Sequence, residues 1–173
     1  ASGSGESRSM FMDIYAAAAR AHMRRYGTTV RQFAEVAAKN SRHGSQNARA
    51  QFREVLSVED VLAAPMIAEP LTRPMCSPIG DGAAAAVIVS ERKARELGIR
   101  KPVRIVSSVL RSGWDHGVDE PGTVELTSRE AYEEAGIGPS ELSVIECHDA
   151  SAPAEILAYE SLGLCAKGAG GKL

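Results

Sequence analysis

The ten residues Gly80-Asp81-Gly82-Ala83-Ala84-Ala85-Ala86-Val87-Ile88-Val89 constrain the fold more than any other stretch. Small alanines running into β-branched residues read as a strand buried on both faces, against which a helix can pack closely. The apolar run Ala83 to Val89 is the longest in the chain and is far too short to cross a bilayer, so no membrane span is expected. Ser90 then caps a helix through Leu97, closed by Gly98. Val103 to Leu110 reads as a second strand, followed by a loop to Leu126 and a helix that Thr127 and Glu130 cap and Gly136 ends. After a turn at Pro139 and Ser140, Leu142 to Cys147 reads as a third strand and Pro153 to Leu162 as a helix capped by Gly163. Strands alternating with helices predict an α/β layering.

A helical preface comes before it. Phe11, Ile14, Tyr15, Ala18, His22 and Tyr26 fall on one face of a helix over 10–26 that Gly27 terminates. Thr29 and Gln32 form a capping box for a second helix reaching about Asn40, and the polar stretch from Ser41 to Phe52 reads as a loop. Ser57 and Asp60 start a short third helix, after which Pro65, Pro70, Pro74 and Pro78 space an extended segment. Residues 1–9 are a flexible lead-in without apolar anchors. The last residues, Ala166 to Leu173, are a glycine-rich loop, and a chain that stops there reads as interrupted.

A chain of 173 residues, 44% hydrophobic and 24% charged, can bury an ordinary core, which excludes wholesale disorder. No charged and apolar leader opens it, and its three cysteines have no disulfide or zinc spacing, so a reduced, cytoplasmic protein without a bound metal is expected. The net charge of −2 hides an asymmetry. Between Arg20 and Arg53 lie eight basic residues (Arg20, Arg24, Arg25, Arg31, Lys39, Arg42, Arg49, Arg53) against one acid, Glu35. This suits a small polyanion such as a coenzyme phosphate better than nucleic acid, although solvated helix faces explain it equally well.

The strongest local signal for chemistry is Glu146-Cys147-His148-Asp149-Ala150-Ser151-Ala152-Pro153-Ala154-Glu155. It places His148 at the carboxyl end of an expected strand and just before a helix, where open α/β sheets hold ligands. An imidazole there can donate Nε2–H to a developing oxyanion, or can simply satisfy a turn. Cys147 and His148, as strand neighbours, point to opposite faces, which argues against a Cys/His hydrolase and for Cys147 as a small core residue. Cys76 and Cys165 have no nearby base, His22 lies on a packed helix stripe, and His43 and His116 are loop histidines without partners. No P-loop, GxGxxG, HExxH or GxSxG pattern is present.

Several stretches carry a resemblance. They are Met12-Asp13-Ile14-Tyr15-Ala16, His22-Met23-Arg24-Arg25-Tyr26-Gly27-Thr28-Thr29, Phe33-Ala34-Glu35-Val36-Ala37 with Lys39-Asn40, Gly80 through Ala86, and His148 through Glu155 with Tyr159-Glu160-Ser161-Leu162-Gly163-Leu164-Cys165. In this order, over nearly the whole chain, the sequence resembles an internal fragment of the thiolase family, in its sterol-carrier-protein-type and acetyl-CoA acetyltransferase-like branch. The resemblance implies a partial, layered αβαβα fold with a helical loop region first. Residues 10–98 would be the coenzyme A-covering loop region with the closing strand and helix of the N-terminal half, and residues 99–173 the truncated start of the C-terminal half.

The function implied is acyl-CoA acyltransfer, by thiolysis of 3-oxoacyl-CoA or Claisen condensation. His148 would help form the oxyanion hole and Ser77 would lie near the pantetheine of coenzyme A, flanked here as Cys-Ser-Pro rather than the family's Ala-Ser-Gly. Ser151 stands where the family usually has an aromatic residue. Coenzyme A and acyl-CoA thioesters would be substrates rather than covalently bound cofactors. The family's nucleophilic cysteine and Gly-His-Pro histidine have no counterpart, so the chain alone is expected to be inactive. Partners would be a second copy or a complementary thiolase segment, and the alternative is a non-catalytic module that binds CoA esters.

Overall fold

Helix α1 (Met10–Tyr26) opens the described part of the chain, which in a computed structural model comprises residues 10–113, 117 and 120–173. The expected lead-in at 1–9 and the loop histidine His116 lie outside the described residues. Gly27, at φ +75°, ends α1 in the left-handed conformation that a side chain disfavours. Thr29 then caps α2 (Val30–Gln46): its hydroxyl accepts from the Gln32 amide while the Gln32 side chain accepts from the Thr29 amide. Helix α2 runs past the expected end near Asn40, so the segment read as a loop from Ser41 is helical as far as Gln46 and His43 rides its last turn. Polar residues do not break it because their hydroxyls return to the helix, Ser41 to the Ala38 carbonyl (2.8 Å) and Ser45 to the Arg42 carbonyl (2.7 Å).

Ser57 and Asp60 build the expected box at the start of α3 (Val58–Ala63). Among the prolines after it lies a small antiparallel hairpin, β1 (Met66–Ala68) and β2 (Leu71–Thr72), followed by a 3₁₀ turn over Arg73–Met75. Helix α4 (Glu91–Glu96) is capped by Ser90 and closed by Gly98 as the sequence predicts. Helix α5 (Thr123–Ala135) starts four residues before the predicted cap at Thr127, whose hydroxyl instead donates to the Thr123 carbonyl at 2.7 Å. Helix α6 (Ala152–Ser161) is capped by Ser151, with Pro153 in its first turn.

The core lies where α2 packs against α3 and α6, and where α1 crosses α6. Phe33 and Ala34 of α2, Val61 of α3, Leu71 and Met75 of the hairpin segment, and Ile156 of α6 are all buried there. Alanines at Ala16, Ala19 and Ala37 let the helices approach closely.

The three segments expected to be strands behave differently. No backbone–backbone hydrogen bond joins residues 80–89, 100–113 or 143–149 to any other described residue. Most of their apolar side chains are exposed rather than buried: Val87 is 91% accessible, Leu110 97% and Val144 81%, while Val109 and Ile145 are half-buried. This corrects the expectation of a doubly buried strand over Ala83 to Val89. A strand is defined by a ladder, and the described residues offer none to these runs. Residues 103–111 are instead held beside α5 through side chains, Ser107 donating to Glu134 (2.5 Å) and Arg111 to Glu130 (2.7 Å).

Two expected outcomes follow. Phe33→Ala should lower unfolding free energy by about 3–4 kcal/mol, as for truncation of a buried aromatic, measured by urea melts. The isolated chain should self-associate and bind an apolar dye through its exposed β-prone runs, and a dye-silent monomer by light scattering would contradict this.

Candidate functional site

A single pinning of two remote segments builds the site. Cys76 and Ser151 form an isolated antiparallel bridge, and the Ser77 amide donates to the Ala150 carbonyl at 3.1 Å. Ser151 is buried, and its hydroxyl accepts from the Ala154 amide at 3.4 Å to start α6. The small residue standing in place of an aromatic is thus a helix cap. His148 comes just before this cap, but on a segment with no ladder rather than at the end of a paired strand.

Both residues singled out from the sequence face the same cleft, of about 1100 Å³. His148 and Ser77 form part of one wall. Helix α1 contributes Phe11, Met12 and Tyr15, α2 contributes Asn40, and Arg73 supplies a guanidinium. The Tyr15 hydroxyl lies 3.4 Å from His148 Nε2. From the sequence Tyr15 is only a stripe residue of α1, and the one clue to its place here is the spacing that puts Phe11 and Tyr15 on the same helical face.

Joined to the cleft through Asn40 is a buried carboxylate. Glu155, in the first turn of α6, receives Lys39 Nζ at 2.5 Å, Asn40 Nδ2 at 2.7 Å and the Tyr159 hydroxyl. Burial pushes the Glu155 pKa up, but the hydrogen bonds from Lys39, Tyr159 and Asn40 more than offset this and hold it below its ordinary value. Tyr159 is pushed well above the ordinary phenol range by burial and by its bond to Glu155.

The same physics acts on the thiols. Cys76, Cys147 and Cys165 are each partly buried, and burial raises the pKa of all three. For Cys147 the negative charges of Glu155 and Asp149 raise it further. Cys147 lies in a smaller depression with Glu155 and Tyr159, not in the cleft beside His148. His22 is packed, as its stripe position predicts: Nε2 lies 3.0 Å from buried Glu160 and Nδ1 lies 2.8 Å from the Thr28 hydroxyl.

The basic stretch divides. Arg31 pairs with Glu59 at 2.9 Å, Lys39 with Glu155, and Arg20 and Arg53 reach the carbonyls of Glu69 and Ser45. Arg24, Arg42 and Arg49 are exposed and have no partner among the described residues. None of the eight cations lines the cleft, whose own cation is Arg73. Among the described residues no cluster of three metal-ligating side chains occurs, and no helix is long and apolar enough to cross a membrane.

Because the Glu155 pKa is depressed on folding, its stabilisation is present above the ordinary 4.5 and disappears as pH falls through the lower folded value. Glu155→Gln should therefore cost about 1–3 kcal/mol at neutral pH. The deficit should shrink below pH 4.5 as the wild-type carboxyl protonates, which urea melts across pH will read. A deficit independent of pH would contradict the charged network.

Residues 121–173 match the thiolase C-terminal domain-like family. The chain is 42% identical over 160 residues to the benzoylsuccinyl-CoA thiolase subunit BbsB of Thauera aromatica, a match covering 90% of this chain and 42% of that protein. It is 34% identical to sterol carrier protein 2 of Oryctolagus cuniculus, over 92% of this chain and 31% of the relative. It is 38% identical to an acetyl-CoA acetyltransferase of Methanothermobacter thermautotrophicus, over 94% of this chain and 43% of the relative. The solved structure of an Ltp2-ChsH2(DUF35) aldolase superposes with a TM-score of 0.81 at 26% identity, over 94% of this chain and 44% of that one. The chain spans less than half the length of each of these relatives.

Proposed function

From a thiolase-like chain with a partial α/β thiolase-like fold as the premise, we propose that these residues form the coenzyme A-covering and thioester-polarising part of an acyl-CoA acyltransferase. The reaction is thiolysis of a 3-oxoacyl thioester or its Claisen reversal. The observation that carries this reading is the convergence of His148 and Ser77, remote in sequence, on one cleft of about 1100 Å³. A cleft of that size, largely apolar with a few polar groups on its wall, suits an acyl-pantetheine arm.

Each residue has a defined part. His148 donates Nε2–H to the thioester oxygen as negative charge develops there. Ser77, held by its amide bond to the Ala150 carbonyl, lies along the pantetheine. Arg73 is the cation within the cleft that can meet an anionic group of the ligand. Acyl transfer also requires a thiolate, and all three thiols here have raised pKa values. On this reading the nucleophile comes from polypeptide other than these residues, and the chain alone does not turn over.

Those raised thiols also favour a second reading, a CoA-ester binding module or one subunit of a split thiolase. Both readings require coenzyme A binding, and calorimetry with coenzyme A and acetyl-CoA should give heat; silence at millimolar ligand would remove both. In a protein that carries this stretch together with an active thiolate, His148→Ala should lower kcat by about 10²–10³ while leaving KM nearly unchanged, the range for losing one oxyanion donor. An unaltered kcat would leave only the binding module.

A further inference from the structure

We propose that the Tyr15 hydroxyl is a second hydrogen-bond donor to the substrate's carbonyl oxygen, sharing that oxygen with His148; this rests on the reading of the cleft as a thioester site. Two observations point to it. The hydroxyl lies 3.4 Å from His148 Nε2, a loose contact for an O···N pair and longer than the usual side-chain hydrogen bond. It also has no other partner among the described residues. When Nε2 carries the ring proton and donates to the Tyr15 oxygen, the phenolic hydrogen itself has no acceptor.

Geometry then decides what the pair can do. Two donors 3.4 Å apart can both reach one oxygen placed about 2.8 Å from each, the normal distance for a charge-assisted bond. Tyr15 is partly buried against the core while its hydroxyl faces the cleft, so its direction is held by packing on α1. A preorganised pair of donors is the arrangement that stabilises negative charge on oxygen most strongly.

The chemistry balances without any further reactant. A bound 3-oxoacyl thioester loses its α-proton to water; the C–H electron pair becomes the enolate C=C bond, and the C=O π pair moves onto oxygen. Tyr15 O–H and His148 Nε2–H then meet that oxygen together. Glu54 and Arg73 line the same cleft and Asp149 adjoins His148, and all three residues are retained in every variant compared below.

Enolate formation tests this on the chain as it exists, with no need for turnover. The probe is acetoacetyl-CoA, and the readout is the near-ultraviolet absorbance of its bound enolate across pH, with affinity for coenzyme A measured in parallel by calorimetry. Tyr15→Phe should raise the enolisation midpoint by about one pH unit, a tenfold loss of enolate, while coenzyme A affinity stays within about twofold. Replacing Tyr15 with 3-fluorotyrosine, which keeps the ring and donates more strongly, should move the midpoint the other way, and this arm stands even if Tyr15→Phe folds poorly. A midpoint unmoved by either change, with His148→Ala still shifting it, overturns the role of Tyr15 and leaves the thioester site intact. Loss of coenzyme A affinity in folded Tyr15→Phe also overturns it, since the hydroxyl would then serve coenzyme binding. A midpoint unmoved even by His148→Ala, or no binding of coenzyme A by the wild type, removes the thioester site itself.

Discussion

The buried carboxylate of Glu155 holds this structure's working parts in register. It sits in the first turn of α6 and takes hydrogen bonds from Lys39 and Asn40 of α2, so one charged group ties the two helices that form the core. Desolvating a carboxylate is costly unless its lone pairs are filled, and here Lys39, Asn40 and Tyr159 fill them. The amides at the start of α6 add a favourable field for the negative charge. With α6 fixed against α2, Ser151 can cap the helix and bridge to Cys76, and His148 is delivered to the cleft beside Ser77. Asn40 belongs both to this network and to the cleft wall, so the support and the site are continuous.

A division of labour follows from how charge is distributed. Away from the cleft lining, charge is paired: buried Glu155 with Lys39, and buried Glu160 with His22, the Glu160 carboxylate also accepting from the Gly170 amide at 3.0 Å. Within the cleft, His148, Tyr15, Ser77 and Arg73 are only loosely engaged with the protein. Polar groups that satisfy one another rigidify a fold, whereas groups left with free valence are available to a ligand. Partial burial raises the pKa of the Cys76, Cys147 and Cys165 thiols.

The apolar runs at 80–89, 103–110 and 142–147 show the limit of pattern reading. Their β-branched composition is that of strands, and the family likeness agrees with a layered α/β fold. Yet among the described residues their backbone groups have no ladder, and Val87, Leu110 and Val144 face solvent. Composition expresses a preference for a pleated, covered surface; the cover itself must come from other backbone. The relatives are more than twice as long as the matched stretch, which leaves ample polypeptide for such a role.

What the sequence determined by itself is what physics settles within about four residues. The capping boxes at Thr29–Gln32 and Ser57–Asp60 and the left-handed glycines Gly27, Gly136 and Gly163 at helix ends follow from such local rules. The expected stripe on α1 does not hold beyond His22: Phe11, Ile14 and Tyr26 are exposed, and Ala16, Ala19 and His22 form the buried face. The position of His148 just before a helix was legible too, and the structure puts it on the cleft wall. The tertiary structure alone decided that α2 continues to Gln46, that α5 begins at Thr123, and that Tyr15 meets His148 across the cleft. Each of these depends on groups far apart in the chain or on whether a polar side chain turns back to its own helix. A hydroxyl's partner and a strand's neighbour are properties of the packed molecule, so no local pattern can hold them.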